Sequence, residues 1–280
     1  MNSFGGNWTY QKIKIIEDYA KAYLQIMKNR PYWKLMYFDG FAGSGDINID
    51  GALDSKVIEG AAKKIVAIKE PKIFDICYFV ELDKQKAKNL QQSLHQIRKA
   101  GVFVVEDDCN RKLKNMSHFL KSEKGKNHKV LAFIDPCGME VDWASIECLK
   151  GLSIDMWILI PTGIGVNRML TKNHKISEAW WAKLEAFFGI SREILDHDFY
   201  TFYEVPTLFG DNQKIFKKNN GIKMIEHIYL QRLNEVFDFV SKPYILKNKN
   251  NSIMFHFVLA SNNQVAINIA NDLVKRLNYS

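Results

Sequence analysis

Apolar positions along this chain follow two periods in turn, one helical and one matching continuous buried strands. In "TYQKIKIIEDYAKAYLQIMKN", residues 9–29, Ile13, Ile16, Tyr19, Tyr23 and Met27 recur at helical spacing. This predicts an amphipathic helix, stopped by Pro31. "LMYFDGF" then predicts a buried strand, and after a polar loop over 46–54, "SKVIEGAAKKIVAIK" predicts a helix closed by Pro71. The same alternation continues with "FDICYFVELD" as strand, "KQKAKNLQQSLHQIRKAG" as helix, "VFVVEDD" as strand and "RKLKNMSHFLKSEK" as helix. "VLAFIDPCG" follows as strand, "DWASIECLKG" as a short helix with Asp142 as its N-cap, and "IDMWILIPTG" as strand. Five β-then-α alternations predict a parallel sheet with helices on both faces. Four of the strands are unbroken apolar runs, as expected when both faces are covered.

The pattern changes after Gly165. Residues 166–240 show no strand signal and are rich in aromatics, as in "AWWAKLEAFFGI" and "HDFYTFYEVPTLFG", which predicts a helical insertion. Strand signals return in "KPYILK" and "SIMFHFVLAS", joined as a hairpin by "NKNN", and "QVAINIANDLVKRL" predicts a closing helix. The expected fold class is α/β, a Rossmann-like sheet that is mostly parallel with a C-terminal antiparallel hairpin, plus the helical insertion. The expected divisions are a ligand-binding core with an N-terminal helix at 1–165, an insertion for substrate or partner recognition at 166–240, and a segment completing the core at 241–280.

Composition narrows the class only slightly. Apolar residues form 47% and charged residues 25% of 280, which suits a chain that buries a core. No apolar run is long enough to span a bilayer, and "MNSFGGNWTYQKIK" has no signal-peptide core, so the expected location is the cytoplasm, with no membrane partner. Cys77, Cys109, Cys137 and Cys148 have no C-x-x-C spacing and no neighbouring histidine cluster. They are expected to be reduced thiols, and no metal site is expected. Lys and Arg exceed Asp and Glu by 39 to 31, a net charge of +8 that tilts toward a polyanionic partner such as nucleic acid.

The predicted strands end in polar residues: Asp39-Gly40, Glu81, Asp107-Asp108 and Asp135-Pro136. In open α/β sheets, ligands bind outside the carboxyl ends of the strands. The first of these ends opens "YFDGFAGSG", where three nucleotide chemistries compete. A P-loop requires a lysine that does not follow Gly45. A dinucleotide fingerprint requires a third glycine where Asn48 stands, which weakens an NAD reading. S-adenosylmethionine has no phosphate and needs instead close backbone approach, an acid for the ribose hydroxyls and a polar group for adenine. Asp39, Gly40, Gly43 and Gly45 would receive its methionine part, Glu81 its ribose and Asp107 or Asp108 its adenine amino group. Asp135 would stand beside the sulfonium and the acceptor.

Together "YFDGFAGSG", "YFVELD", "FIDPCGMEVDW", "FVLASNNQVAINIANDL" and the opening "NWTYQKIKIIEDY" resemble the three-Cys-motif partner proteins, a bacterial family of class I methyltransferase-like proteins. The resemblance covers most of the chain. It implies a methyltransferase version of the Rossmann-like fold, S-adenosylmethionine as cofactor and association with a separate protein carrying a three-cysteine motif.

"IDPCG" looks like the D-P-P-Y tetrad of adenine amino-methyltransferases, with Asp135 and Pro136 in place but Cys137 and Gly138 where the second proline and the stacking tyrosine would be. A substitute ring would have to come from Trp143, Trp157 or the insertion. Pro136-Cys137 also has the order of a cytosine-methylating nucleophile, against which stands a simple buried thiol. In "PTGIGVNRML", Thr162 and Arg168 are candidates for substrate contact, with a plain loop as the alternative. In the insertion, Trp180, Trp181, Phe187 and Phe188 suit a small helical core, while Tyr200, Phe202 and Tyr203 offer a stacking face. Lys214, Lys217, Lys218 and Lys223 would then form a phosphate-facing patch, or merely a solvated loop. The expected function is methyl transfer from S-adenosylmethionine to a nucleic-acid base or amine nitrogen, with Asp135 and Pro136 catalytic. The alternative is a cofactor-binding subunit that acts only through its partner.

Overall fold

The computed structural model describes residues 7–48, 57–207 and 210–278. Its first helix, α1 (Asn7–Met27), leads into β1 (Lys34–Asp39). A small ribbon of β2 (Asp46–Asn48) and β3 (Val57–Glu59) follows, then α2 (Ala61–Ala67). The alternation continues through β4 (Ile76–Glu81), α3 (Lys84–Ile97), β5 (Val102–Glu106), α4 (Cys109–Lys121), β6 (His128–Ile134), α5 (Trp143–Glu147) and β7 (Ile154–Ile160). Between β7 and the last strands lie α6 (Asn167–Met169), α7 (Glu178–Phe188), α8 (Arg192–Phe199), a hairpin of β8 (Tyr200–Thr207) and β9 (Gly210–Lys217), and α9 (Gly221–Val236). The chain closes with β10 (Phe239–Val240), β11 (Tyr244–Lys247), β12 (Ile253–Ser261) and α10 (Gln264–Asn278).

The main sheet runs β5-β4-β1-β6-β7-β12, with β10 and β11 both pairing along the far side of β12. The five strands from β5 to β7 are parallel, and β12 joins β7 antiparallel. This is the expected Rossmann-like sheet with its antiparallel C-terminal pair. The strand order reverses between β1 and β6: the chain builds outward from β1 to β4 and β5, then returns to place β6 on the other flank. Ligand crevices in such sheets form at that reversal.

The unbroken apolar strands serve two cores at once, because alternate residues face opposite sides. Tyr37, Phe79, Phe133, Trp157 and Phe257 pack on the face covered by α1, α2, α3 and α10. Phe38, Val80, Ile134, Ile158 and Val258 pack on the other, with α4, α5 and the helices of the insertion. Trp181, Leu184, Phe187, Phe188 and Tyr229 of the insertion join this second core directly, where Trp143 meets Tyr229 edge-on at 5.7 Å between ring centres.

Three expectations need correcting: the polar loop expected over 46–54 opens as strand at Asp46–Asn48, with residues 49–54 outside the described residues, and two further elements differ. The insertion is not purely helical, because "YTFYEVPT" and "GDNQKIFK" pair as the β8–β9 ribbon. Its aromatics and threonines favour strand, but Pro206 breaks the run and no two-residue turn signal marks the tip. The helix expected from Ser55 begins only at Ala61, because Val57–Glu59 is strand and the Gly60 N–H bonds the Gly45 carbonyl at 2.9 Å. The first residues of that expected helix, 55 and 56, lie outside the described residues.

Candidate functional site at the carboxyl edge of the sheet

Asp39 closes β1 in register with Phe133 of β6 and is only 1% exposed. Its Oδ1 accepts the Phe41 N–H at 3.1 Å. The Gly40 N–H donates to the Phe133 carbonyl at 3.0 Å and the Ala42 N–H to the Val80 carbonyl at 3.0 Å, so the chain turns across the ends of β6, β1 and β4. Gly43 and Gly45 then take positive φ, +64° and +88°, which residues with a side chain rarely adopt. A Cβ at Gly43 would meet nothing within 4 Å, so backbone faces open space there, whereas Gly45 is buried, with a Cβ that would lie 2.9 Å from Leu90, and does not present backbone to a ligand as expected.

Glu81 meets this turn. Its Oε2 accepts the Gly43 N–H at 2.9 Å and its Oε1 the Asp83 N–H at 2.9 Å. An ionised carboxylate has about four acceptor positions, so each oxygen keeps capacity for a further donor. The glycine turn and the second-strand acid, 38 residues apart, therefore share one place.

Asp135 follows β6, beside Asp39. Its Oδ2 is paired with the Lys12 ammonium, and the two side chains are 16% and 9% exposed. The Lys12 ammonium also lies 5.1 Å from the centre of the Trp8 ring, which packs on Phe255 at 5.4 Å. Lys12 is a residue of this constellation that no sequence motif had marked. The signal was present: one turn beyond buried Thr9 and next to Ile13, it is a lysine on the apolar stripe of α1. A buried ammonium needs an acid, and Asp135 supplies it.

Burial drives the Asp39 carboxyl up to about 8; the Phe41 N–H opposes this, the nearby Asp135 charge adds to it, and Lys12 and Glu81 act more weakly in opposite senses. Asp39 thus lies near both Asp135 and Glu81, and the Lys12 ammonium is paired with Asp135.

At the end of β5 the two candidate acids differ. Burial works against the charge on Asp107, yet its ion pairs with Lys112 (2.8 Å) and Arg111 and the Asp108 N–H hold it below the usual carboxylate range. Asp108 caps α4 through Oδ1, accepting the Arg111 N–H at 3.0 Å. Its second oxygen has no protein donor among the described residues, so Asp108 has the freer acceptor.

Past Asp135, Cys137 is exposed and the Gly138 N–H donates to Glu140 Oε2 at 2.7 Å. Desolvation of the thiol, followed by the Asp135 and Glu140 charges, raises the Cys137 pKa, the wrong direction for a nucleophile that must ionise. Trp143 and Trp157 are 1% and 0% exposed, so neither serves as the substitute stacking ring. Thr162 is likewise enclosed: at 0% exposure its hydroxyl is bonded to His256 Nδ1 at 2.8 Å, and it braces the turn after β7 rather than facing a substrate. Burial lowers the His256 pKa to about 4, so this brace is neutral at pH 7. Arg168 is exposed on α6. Among the described residues no group of three His, Cys, Asp or Glu is placed to hold a metal ion, and no helix is long and apolar enough to cross a membrane.

No family model matches the chain, and no curated protein matches it. Among solved structures it is similar to protein LPL1258 from Legionella pneumophila, at 13% identity over 95% of this chain and 92% of that one, with a TM-score of 0.47. It is also similar to an rRNA methylase from Streptococcus thermophilus, at 11% identity over 87% and 97% of the two chains, with a TM-score of 0.35. A third is Trm1 from Pyrococcus horikoshii in complex with S-adenosyl-L-methionine, at 7% identity over 93% of this chain and 65% of that one, with a TM-score of 0.39. Identities this low and TM-scores below one half assign no role to any residue of this chain.

Proposed function

We propose that the protein is an S-adenosylmethionine-dependent methyltransferase acting on a nitrogen of a nucleic-acid base or amine. The observation that carries this reading is the meeting of Glu81 with the Gly43 backbone at 2.9 Å, beside the buried carboxyl of Asp39 and the half-buried one of Asp135. The residues fit the cofactor's demands. The open space at Gly43 admits the methionine part against bare backbone, and Glu81 keeps acceptor capacity for ribose hydroxyls. The free oxygen of Asp108 suits an adenine amino group. The acceptor oxygens of Glu81 and Asp135 suit a ligand with a sulfonium and an ammonium.

When bound, the cofactor supplies an electrophilic methyl group. The chain's own part is positioning and electrostatics. Lys12 holds Asp135 Oδ2, while Oδ1 has no protein donor among the described residues and can accept an N–H of the acceptor. The Asp135 charge then stabilises the positive charge developing on that nitrogen. A nitrogen made cationic loses its proton readily, so no strong general base is required. Labelled methyl transfer to bulk RNA, DNA and protein tests the reading: the wild type should label a polymer, and Asp135→Ala should lower the rate at least a hundredfold. Equal rates would remove Asp135 from its role.

A second reading has one specific observation in its favour. Cys137 and Gly138 replace the ring-bearing half of the tetrad, and Trp143 and Trp157 are sealed in the cores. A partner, a protein carrying a three-cysteine motif, would then complete the acceptor pocket. Activity that appears only on adding such a partner would favour this version.

A further inference from the structure

The β8–β9 ribbon has two unlike faces. In its register Tyr200 lies opposite Lys217, Thr201 opposite Phe216, Phe202 opposite Ile215 and Tyr203 opposite Lys214. Opposed residues share a face and successive pairs alternate. The inner face is anchored at its base, while Phe202 further along it is 37% exposed. Tyr200 is buried and its hydroxyl donates to the Thr171 carbonyl at 2.7 Å, while Phe202 meets the His174 ring at 5.8 Å. Lys217 turns inward, its ammonium donating to the Asn167 carbonyl at 3.0 Å, Asn167 Oδ1 at 2.7 Å and the Leu170 carbonyl at 2.6 Å. Tyr200 and Lys217 are therefore not the stacking ring and phosphate contact expected of them.

The outer face is different. Tyr203 and Phe216 are 55% and 54% exposed and meet edge-on at 6.0 Å, with Lys214 exposed beside them. Among the described side chains this face carries no acid. The Lys217 clamp fastens the ribbon to Asn167–Leu170, the segment that leaves the turn after β7 and bears exposed Arg168. The ribbon is thus anchored to the segment that follows the carboxyl end of β7.

We infer that the outer face of the β8–β9 ribbon is a docking platform for single-stranded nucleic acid, with bases stacking on Tyr203 and Phe216 and Lys214 meeting a phosphate. Paired exposed rings next to a cation match what an unpaired strand offers, π-faces spaced along a polyanion. The net charge of +8 favours the same occupant over an acid-poor protein surface. Its role as a substrate platform rests on the proposed methyl transfer, but binding to it does not.

The test measures fluorescence anisotropy of labelled mixed-sequence single-stranded RNA and DNA 20-mers against the full chain, without cofactor. The wild type should bind, more weakly as salt rises. Tyr203→Ala with Phe216→Ala should weaken binding at least tenfold while leaving the thermal midpoint unchanged. Lys214→Gln should reduce the slope of log affinity against log salt by about one contact. A wild type that binds neither oligonucleotide at 50 mM salt, or a double variant that binds within twofold of it, would overturn the inference. So would a double variant that abolishes self-association while oligonucleotide binding persists, since the face would then belong to a second copy. Calorimetry of S-adenosylmethionine on the double variant keeps the two proposals apart: unchanged cofactor binding locates any loss in the ribbon.

Discussion

Asp39 has the largest electrostatic consequence of any single residue at the site. Its folded pKa of about 8 stands far above the ordinary carboxyl value of 3.8. Between those two values the folded chain holds a proton that the unfolded chain has released. Stability from this group is therefore complete below about pH 4 and is lost as pH rises toward 8. At about 1.4 kcal/mol per pH unit the loss is of the order of 5 kcal/mol. Asp39→Asn keeps an acceptor for the Phe41 N–H and never ionises, so its stability relative to wild type should increase between pH 5 and pH 8. Urea denaturation at both pH values measures this, and a constant gap would contradict it. Lys12 tests the neighbouring pair. Removing one partner of a fully buried ion pair costs about 3–5 kcal/mol, and the partial exposure of Asp135 places Lys12→Met near or below the lower end. Lys12→Arg should recover much of that loss in the same denaturation experiment.

At the scale of elements, periodicity carried the alternation from β1 to β7 because strands buried on both faces are written as unbroken apolar runs. The acids at their ends could be seen for the same reason, since a carboxylate directly after "LMYF" or "LAFI" marks where burial stops. The β8–β9 ribbon was not legible, because its aromatics are divided between a packed face and an open one. Lys12 was missed because its partner is 123 residues away, and no local pattern encodes that distance. The Thr162 position was misjudged because burial after β7 depends on β12, which supplies His256 from late in the chain. The junction of α7 and α8 gives a direct test of how the insertion is held. Gly189 has φ +63°, and a Cβ there would lie 2.2 Å from a Trp143 ring atom. Gly189→Ala should destabilise the fold by roughly 3 kcal/mol or more, through strain and displacement of a core tryptophan. A change within 0.5 kcal/mol in urea denaturation would contradict that packing.

At the scale of the molecule, the sheet brings groups from five distant segments to one edge: Lys12, Asp39 with Gly43, Glu81, Asp108 and Asp135. The order reversal between β1 and β6 explains why Asp39 and Asp135, 96 residues apart in the sequence, become neighbours. The insertion shares a core with the sheet, so its ribbon is carried on the same packed body as the acids. The most direct measurement is calorimetric titration of S-adenosylmethionine, with NAD as the control, into wild type and Glu81→Gln. The expected result is one cofactor bound per chain, no heat from NAD, and affinity at least tenfold weaker in the variant. Failure of wild type to bind S-adenosylmethionine, or equal affinity in Glu81→Gln, would contradict the account.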